Sequence, residues 1–352
     1  MKEYSTVITL YKEIRKLGRP IDKYTLTVLM NCFCQLSRVD FAFAILGIFF
    51  KCGYPAGVAT FNTLINGYVL EGKTSEAVKL FQWLMNRGYM EPNEITCGTI
   101  MKGLCKVGDT AMAIRLLRTM QKRNYRPTVV MYNTIIDNLC KDGNINDAFN
   151  LFLEMREWDV RPNVVTYNSL VDGLCKLGRG SDATRILSDM VAQDIFPNIV
   201  TFNILVDALC KEGKTEEAEG ILTIMIRRGE KPDLITYNAL LDGYCLQGHM
   251  KKAKEEFNSL VDKDLQPDVY CYNTLMNGYC KQVNMEEAMD LFREMSRKGL
   301  KPGTDTYTTL LKGLLLIGRC DVADHVFQEM MCGGQKPDIL TYSVLLDGFF
   351  KN

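Results

Sequence analysis

Apolar residues recur along the whole chain at the spacing of amphipathic α-helices. Between Val164 and Asn198, one face of a predicted first helix carries Tyr167, Leu170, Val171, Leu174 and Cys175 at i, i+3, i+4, i+7 and i+8. Gly178 predicts the end of this helix. A second helix is marked by Ala183, Ile186, Leu187 and Met190 and ends before Pro197. No segment shows the alternation of a strand, so the pattern predicts an all-α fold built from helix pairs.

This pattern repeats with a period of 35 residues. Eight prolines lie 35 residues apart: Pro92, Pro127, Pro162, Pro197, Pro232, Pro267, Pro302 and Pro337. Pro20 and Pro55 keep the interval but are shifted in phase. We number each unit so that position 35 directly follows the proline of the later units. The full repeats are then 23–57, 58–93 (one residue longer), 94–128, 129–163, 164–198, 199–233, 234–268, 269–303 and 304–338. Residues 1–22 and 339–352 form partial repeats.

The second helix carries Ala at one fixed point in all nine full repeats, namely at Ala42, Ala77, Ala113, Ala148, Ala183, Ala218, Ala253, Ala288 and Ala323. A methyl-sized residue there lets neighbouring helices approach closely. One helix pair cannot bury its apolar face alone, whereas stacking on the next pair does so. We therefore expect a single α-solenoid array over residues 1–352, with neither a linker nor a second domain. Because both ends fall inside a repeat, we expect an excerpt of a longer protein.

Composition narrows the class further. Lys and Arg total 42, as do Asp and Glu, so the formal net charge is zero and a polycationic tail is excluded. No apolar stretch is long enough to span a bilayer, and Met1–Gly18 lacks the apolar core of a secretory signal. Among 13 cysteines, six are 35 residues apart: Cys105, Cys140, Cys175, Cys210, Cys245 and Cys280. This spacing fits neither a disulfide framework nor a zinc site, so we expect small buried residues and no metal or other cofactor.

The unit VVTYNSLVDGLCKLGRGSDATRILSDMVAQDIFPN (Val164–Asn198) resembles the P-type pentatricopeptide repeat. Its Tyr-Asn-x-Leu, Leu-Cys-Lys-x-Gly and Pro-Asn elements are typical of that family, and the wording is closest to the restorer-of-fertility-like subgroup of plant organelles. The tetratricopeptide repeat differs in its period and lacks this signature. The resemblance covers the whole chain. It implies a right-handed superhelix that binds single-stranded RNA with one base per repeat.

Two columns of polar residues would recognise the bases. Position 5 holds Thr27, Asn62, Asn133, Asn168, Asn203, Asn238, Asn273 and Thr308, with Gly98 as the exception that has no side chain there. Position 35 holds Asn93, Asn163, Asn198, Asp233, Asp268 and Asp338, with Gly57, Thr128 and Gly303 as exceptions. An Asn amide both donates and accepts, which suits the mixed edge of a pyrimidine. The alternatives are a solvated amide at position 5 and an ordinary helix N-cap at position 35, where the exceptions are also tolerable. Both position-35 roles can coexist.

Two further columns would contact the rest of the nucleotide. Position 2 is mostly apolar, at Tyr24, Ala59, Ile95, Val130, Val165, Val200, Ile235 and Tyr270, and the resemblance implies that successive side chains sandwich a base. Asp305 interrupts this column unfavourably. Position 13 holds Lys106, Lys141, Lys176, Lys211, Lys281 and Lys351, which suits a phosphate backbone. Leu246 and Leu316 interrupt this column, and the first two repeats have Gln35 and Leu70 there. The alternatives are residues that pack at a helix start and solvated lysines at a helix end.

Applied to positions 5 and 35, the family's pairing rule predicts the site 5′-N-Y-N-Y-Y-U-U-Y-G-3′, read from the N- to the C-terminus. The expected function is non-enzymatic: RNA is covered or remodelled, or marked for an effector nuclease. The resemblance implies that this occurs in mitochondrial RNA processing, stability or translation control, with the chloroplast as the alternative organelle. Any transit peptide would lie upstream of Met1. A peptide-binding scaffold is the alternative, although it would not need a fixed Asn column. We expect a monomer or end-to-end association.

Overall fold

The computed structural model describes residues 4–16, 21–91 and 93–351, and every regular element among them is helical. The periodic residues Pro20 and Pro92 lie outside the described residues. The chain divides into two compact units, Met1–Asp189 and Met190–Asn352. The all-α prediction is confirmed. The prediction that all repeats form one domain stays a prediction.

In the first unit, helices of 13 residues alternate with short turns. They are α1 (Tyr4–Lys16), α2 (Lys23–Gln35), α3 (Val39–Lys51), α4 (Val58–Leu70), α5 (Thr74–Asn86), α6 (Glu94–Lys106), α7 (Thr110–Lys122), α8 (Val129–Lys141), α9 (Ile145–Glu157), α10 (Val164–Lys176) and most of α11 (Gly180–Ala192). Each full repeat therefore begins at the first residue of an α-helix, as the 35-residue numbering predicts.

The second unit continues the same alternation. Its helices are α12 (Ile199–Lys211), α13 (Thr215–Arg227), α14 (Leu234–Leu246), α15 (Met250–Ser259), α16 (Val269–Lys281), α17 (Met285–Arg297), α18 (Thr304–Leu316), α19 (Cys320–Cys332) and α20 (Ile339–Lys351), with a short 3-10 helix at Val261–Lys263. None of the helices in the described ranges has the length and apolar character needed to cross a membrane.

Two left-handed residues in each repeat end its helices. Position 15 follows the first helix and is Gly in seven full repeats, with φ near the 76° of Gly143 and Gly248. Position 31 follows the second helix and holds Gly, Asn or Asp, all of which tolerate this backbone region. The prediction that Gly178 ends a helix is confirmed, because α10 stops at Lys176 and Gly178 has a φ of 68°. Val283 is a departure, since a β-branched residue there has a φ of 62°.

The core of each unit lies between its first and second helices. Within a unit, first helices pack on the first helix of the next repeat, as α12 does on α14, and on their own second helices, as α16 does on α17. The nine periodic alanines are at most 2% exposed, which confirms their predicted role as small residues at a close helix contact. An aromatic pair recurs between repeats, as in Phe257 and Tyr272, whose ring centroids are 5.0 Å apart in an edge-to-face arrangement. The stacked-hairpin architecture of an α-solenoid is thereby present in each unit.

Successive first helices approach most closely where a Gly at position 10 faces the residue at position 12 of the preceding repeat. A Cβ atom added to Gly243 would lie 2.7 Å from both Cβ and Sγ of Cys210. The same contact joins Gly173 to Cys140 and Gly313 to Cys280. In these repeats the recurring cysteine is therefore a small side chain that fits against a bare glycine backbone.

The buried cysteines are structural. Burial raises the pKa of Cys140, Cys210 and Cys245 to about 12 in each case, so that their thiols stay protonated and unreactive near neutral pH. All 13 cysteines are free thiols, and Cys175 is only partly buried. Among the residues that the structure describes, no group of three or more His, Cys, Asp or Glu side chains is arranged to hold a metal ion.

The glycine contact predicts a specific loss of stability. Replacing Gly243 by Ala should lower the free energy of unfolding by about 1–3 kcal/mol, because the added methyl group overlaps Cys210. Gly220 is the matched control. It lies within α13 and nothing would lie within 4 Å of its added Cβ, so Gly220→Ala should raise stability by about 0.5–1 kcal/mol. Urea denaturation followed by circular dichroism measures both, and equal effects of the two substitutions would contradict the contact.

Candidate nucleic-acid interface

The position-5 Asn side chains connect neighbouring repeats. The carboxamide oxygen of Asn133 accepts a hydrogen bond from Thr166 Oγ1 at 2.6 Å. That of Asn203 accepts from Thr236 Oγ1 at 2.5 Å, and that of Asn62 accepts from Thr96 Oγ1. In each case the donor is position 3 of the following repeat. The oxygen end of the amide is therefore fixed by the protein itself.

The nitrogen end of the same amide meets position 35. Asn133 Nδ2 donates to Asn163 Oδ1 and Asn203 Nδ2 donates to Asp233 Oδ1, each at 3.1 Å. An Asn amide nitrogen carries two hydrogens, so each of these residues keeps one N–H outside this hydrogen bond. The two protein contacts hold that donor in a fixed orientation.

Position 35 also caps the following helix. The Asp233 carboxylate accepts from the backbone N–H of Thr236 at 2.9 Å, and Asn163 Oδ1 accepts from that of Thr166 at 3.2 Å. Side-chain N-caps are also made by Asp22, Asn93, Asn198, Asp268 and Asp338. Backbone and side-chain hydrogen bonds from Thr341 lower the pKa of Asp338. The N-cap interpretation is thus confirmed, and at Asn163 and Asp233 the same atom also orients the position-5 amide.

The position-5 side chains are largely buried between first helices. Asn133, Asn168 and Asn238 are 9%, 7% and 8% exposed, respectively. The alternative of a freely solvated amide is therefore wrong for these three residues. An unpaired buried amide would be costly, which explains why the contacts to positions 3 and 35 accompany this column.

Several repeats depart from this arrangement. Asn238 Oδ1 accepts from Cys271 Sγ at 2.9 Å, and Thr308 Oγ1 lies 2.9 Å from Thr341 Oγ1. Asn273 Oδ1 is buried without a hydrogen-bond partner among the described residues, and it belongs to the repeat that ends in Gly303. Thr128 sits at an N-cap but its hydroxyl makes no cap hydrogen bond, so it does not cap as expected. Thr27 bonds the carbonyl oxygen of Lys23 within its own helix.

Position 2 forms an exposed apolar column. The side chains of Val130, Val165, Val200 and Ile235 range from 40% to 65% exposed, and Tyr24 and Tyr270 are also exposed. The alternative that these residues pack at the helix start is therefore wrong. Exposed apolar side chains at regular intervals offer contact surfaces for flat, weakly hydrated ligands such as bases.

A cleft of about 420 Å³ in the second unit brings the predicted columns together. It is lined by Asn203 and Asn238 of position 5, Ile235 and Tyr270 of position 2, Asp268 of position 35 and Lys211 of position 13, together with Asp207, Ala239 and Asp242. A second cleft of about 340 Å³ in this unit holds Asn273 and Thr308 with Tyr270, Asp305 and Leu340. The polar and apolar columns thus share one surface of the first helices.

Several lysines of position 13 form ion pairs with a carboxylate of the same helix. Lys141, Lys176 and Lys211 each form a 2.6 Å ion pair with the Asp four residues earlier, and Lys351 pairs with Asp347 at 2.8 Å. Hydrogen bonds to Asp137 and Asp207 raise the pKa of Lys141 and of Lys211, respectively. These four lysines are therefore paired with a carboxylate rather than simply solvated, and their predicted contact with phosphate stays a prediction. Lys106 and Lys281 form no ion pair within 4 Å in the described part of the chain. Position 9 of their repeats is Lys102 and Asn277, respectively, so neither lysine follows an Asp.

The aspartates of position 9 are therefore part of this surface, although they were not among the predicted site residues. Burial raises the pKa of Asp242, which has Leu246 in place of a lysine four residues later. The threonines of position 3 were missed as well. Both signals are visible in the sequence, since Thr96, Thr166 and Thr236 occupy one position and Asp137, Asp172 and Asp207 occupy another.

The inter-repeat hydrogen bond predicts a stability loss at Thr236. The Thr236→Val substitution keeps the shape but leaves the half-buried acceptor of Asn203 without its partner on the buried Thr236, so we expect a loss of about 1 kcal/mol. Thr236→Ser keeps the hydroxyl and serves as the control. Chemical denaturation measures both variants, and a Val variant as stable as the Ser variant would refute this role of the hydroxyl.

Family models match most of the chain. The PPR repeat family model matches seven overlapping stretches between residues 56 and 316, and the PPR repeat model matches residues 24–54 and 305–334. A curated protein of Arabidopsis thaliana, named as a mitochondrial pentatricopeptide repeat-containing protein, is 43% identical over 79 residues, which are 22% of this chain and 13% of the relative. A chloroplastic one is 33% identical over 111 residues, or 32% of this chain and 14% of the relative.

A solved structure shares the fold. The pentatricopeptide repeat protein PPR10, in complex with an 18-nt psaJ RNA element, matches with a TM-score of 0.69 and 24% identity, over 99% of this chain and 56% of that chain. The chain thus spans about half of that protein and a smaller share of its curated relatives. Because the family models cover well over half of the sequence and find the same period as the helices, this chain belongs to the pentatricopeptide repeat family.

Proposed function

We propose that this chain binds single-stranded RNA along the exposed surface of its first helices, with successive repeats contacting successive bases. The observation that carries the proposal is the cleft beside α14, in which the columns at positions 2, 5, 13 and 35 converge. Apolar side chains there offer stacking contacts, the oriented amides offer hydrogen bonds, and the lysine offers charge. A peptide-binding groove would need no such repeated combination.

The fixed amides explain how a repeat selects a base. In the repeats of Asn133 and Asn203, the carbonyl oxygen already accepts one hydrogen bond, so the remaining N–H is the defined donor. A donor held in this way favours a base edge that offers an acceptor, such as a carbonyl oxygen of a pyrimidine. The pairing rule that the family resemblance implies for positions 5 and 35 gives the site 5′-N-Y-N-Y-Y-U-U-Y-G-3′ in chain order. The relative that is solved with RNA supports a nucleic-acid ligand for this fold.

The names of similar proteins suggest the compartment in which the chain acts. The names of similar Arabidopsis proteins include mitochondrial and chloroplastic ones, and we infer an organellar role in RNA processing, stability or translation, with mitochondria favoured. Binding would act by covering the transcript or by marking it for an effector nuclease. The proposal assigns no chemical step to the repeats. The uniform 13-residue first helices and 35-residue spacing also support membership of the P-type, restorer-of-fertility-like subgroup.

Base selection is tested by exchanging position 5. Asn238→Thr, with Asp268 kept, should shift the preference at the seventh base from U towards G by roughly tenfold, because the repeat then resembles the one that contains Thr308 and Asp338. Titration of fluorescent nine-nucleotide RNAs that differ only at this base measures the shift.

A double variant serves as the matched control. Asn238→Thr with Cys271→Thr reproduces the trio of Thr308, Asp338 and Thr341, in which the two threonine hydroxyls are 2.9 Å apart. It should show the same shift to G with stability near that of the unmodified protein. An unchanged preference for U in both variants would overturn the assignment, and equal binding of all RNAs and of peptides would overturn the proposed function.

A further inference from the structure

The position-9 aspartates lie on the proposed RNA surface, where negative charge opposes a polyanion. Asp137, Asp172 and Asp207 each hold a position-13 lysine at 2.6 Å. Asp207 and Lys211 both line the 420 Å³ cleft with the base-selecting amides. A carboxylate so placed must affect how strongly the lysine binds phosphate.

We propose that these aspartates compete with RNA phosphate for the position-13 lysines, so that they weaken backbone binding and leave more of the selectivity to base contacts. This inference rests on the proposed function. It assigns a specificity-determining role to Asp137, Asp172 and Asp207.

The geometry allows the exchange of partners. The side chains of the three lysines are 56–60% exposed and those of the aspartates 29–45%, so that a phosphate can reach each ammonium group from solvent. Exposed i, i+4 pairs are weak, which means that RNA can displace the carboxylate at a modest cost. Each displaced pair reduces the net gain of a lysine–phosphate contact, and it does so for every RNA sequence alike.

The repeats differ in whether a carboxylate is paired with the position-13 lysine. Lys281 follows Asn277 rather than Asp, and in the described chain it has no ion pair within 4 Å. The nearest contrast is the repeat of Asp207 and Lys211, which shares the lysine but adds the carboxylate. The charge of Lys281 acts on Asp242 of the preceding repeat, but the two form no ion pair within 4 Å. We therefore expect the backbone to be held more firmly beside Lys281 than beside Lys211.

Reciprocal variants test the competition. The triple substitution Asp137→Asn, Asp172→Asn and Asp207→Asn should strengthen binding of a fluorescent 5′-ACACCUUCG-3′ RNA by roughly five- to tenfold at low salt. The slope of log K against log salt should steepen by up to about 2, since each freed lysine adds about 0.7 on a single strand. Discrimination against a scrambled RNA should fall. Asn277→Asp should act in the opposite direction and weaken binding.

A second triple variant controls for net charge. Asp40, Asp159 and Asp290 carry exposed carboxylates that pair with arginines and lie outside the first helices. Their replacement by Asn changes the net charge equally, and it should have a much smaller effect on affinity and on the salt slope. Thermal denaturation of each variant verifies that the fold is retained.

The outcomes separate the two proposals. Heparin, a polyanion without bases, serves as the competitor. If the unmodified protein binds neither RNA more tightly than it binds heparin, the proposed function fails. If the unmodified protein does bind RNA but the position-9 variant binds no better than the control triple variant, or Asn277→Asp strengthens binding, then the competition is wrong and the aspartates instead position the lysines for phosphate.

Discussion

The close approach of successive first helices is the constraint on which the rest of this structure depends. Gly243 against Cys210 and Gly173 against Cys140 leave no room for a side chain at position 10. Because the two backbones are so near, position 5 of one repeat comes within hydrogen-bond distance of position 3 of the next, as in Asn203 and Thr236. A larger side chain at position 10 would separate the two helices, and the position-5 amides would then hydrogen-bond to water instead. Packing that looks purely structural therefore sets the geometry of the candidate interface.

The polar residues that hold the helices in place are the same ones that are proposed to select bases. Asp233 caps α14 through the backbone N–H of Thr236 and orients Asn203 through the amide nitrogen. A position-35 residue that only capped the helix would gain little stability from a neighbouring amide. An amide without protein partners would lose its hydrogen bonds to water when it is buried. The two needs reinforce each other, so the candidate base-selecting groups are preorganised before any ligand binds.

Charge on this surface is balanced locally. The zero net charge of the chain arises partly on the first helices themselves, since Asp137, Asp172 and Asp207 accompany the lysines four residues later. A surface of paired charges attracts polyanions less than an open lysine stripe does, and it places more of the discrimination on short-range contacts. This balance distinguishes the interface from nucleic-acid-binding surfaces that depend on excess positive charge.

Much of the fold follows from the sequence alone. The 35-residue period, the two helices of each repeat, the helix end at Gly178 and the small residue at Ala218 are all set by local pattern and by the side-chain size that stacking requires. These features depend on neighbours within one or two repeats, so a linear pattern carries them. The candidate residues at positions 5 and 35 were also identified in this way.

Only the tertiary structure decided how those residues are used. Sequence could not tell whether Asn133 is solvated or bonded to Thr166, whether Val165 packs or is exposed, or whether Lys211 is free, because each answer depends on atoms brought together across repeats. At Asn273 and Thr128, buried oxygens have no partner in the described chain, and the recurring residue types did not indicate this. Periodicity fixes which residues recur, whereas the distance between stacked helices decides which of their atoms are already satisfied and which remain for a ligand.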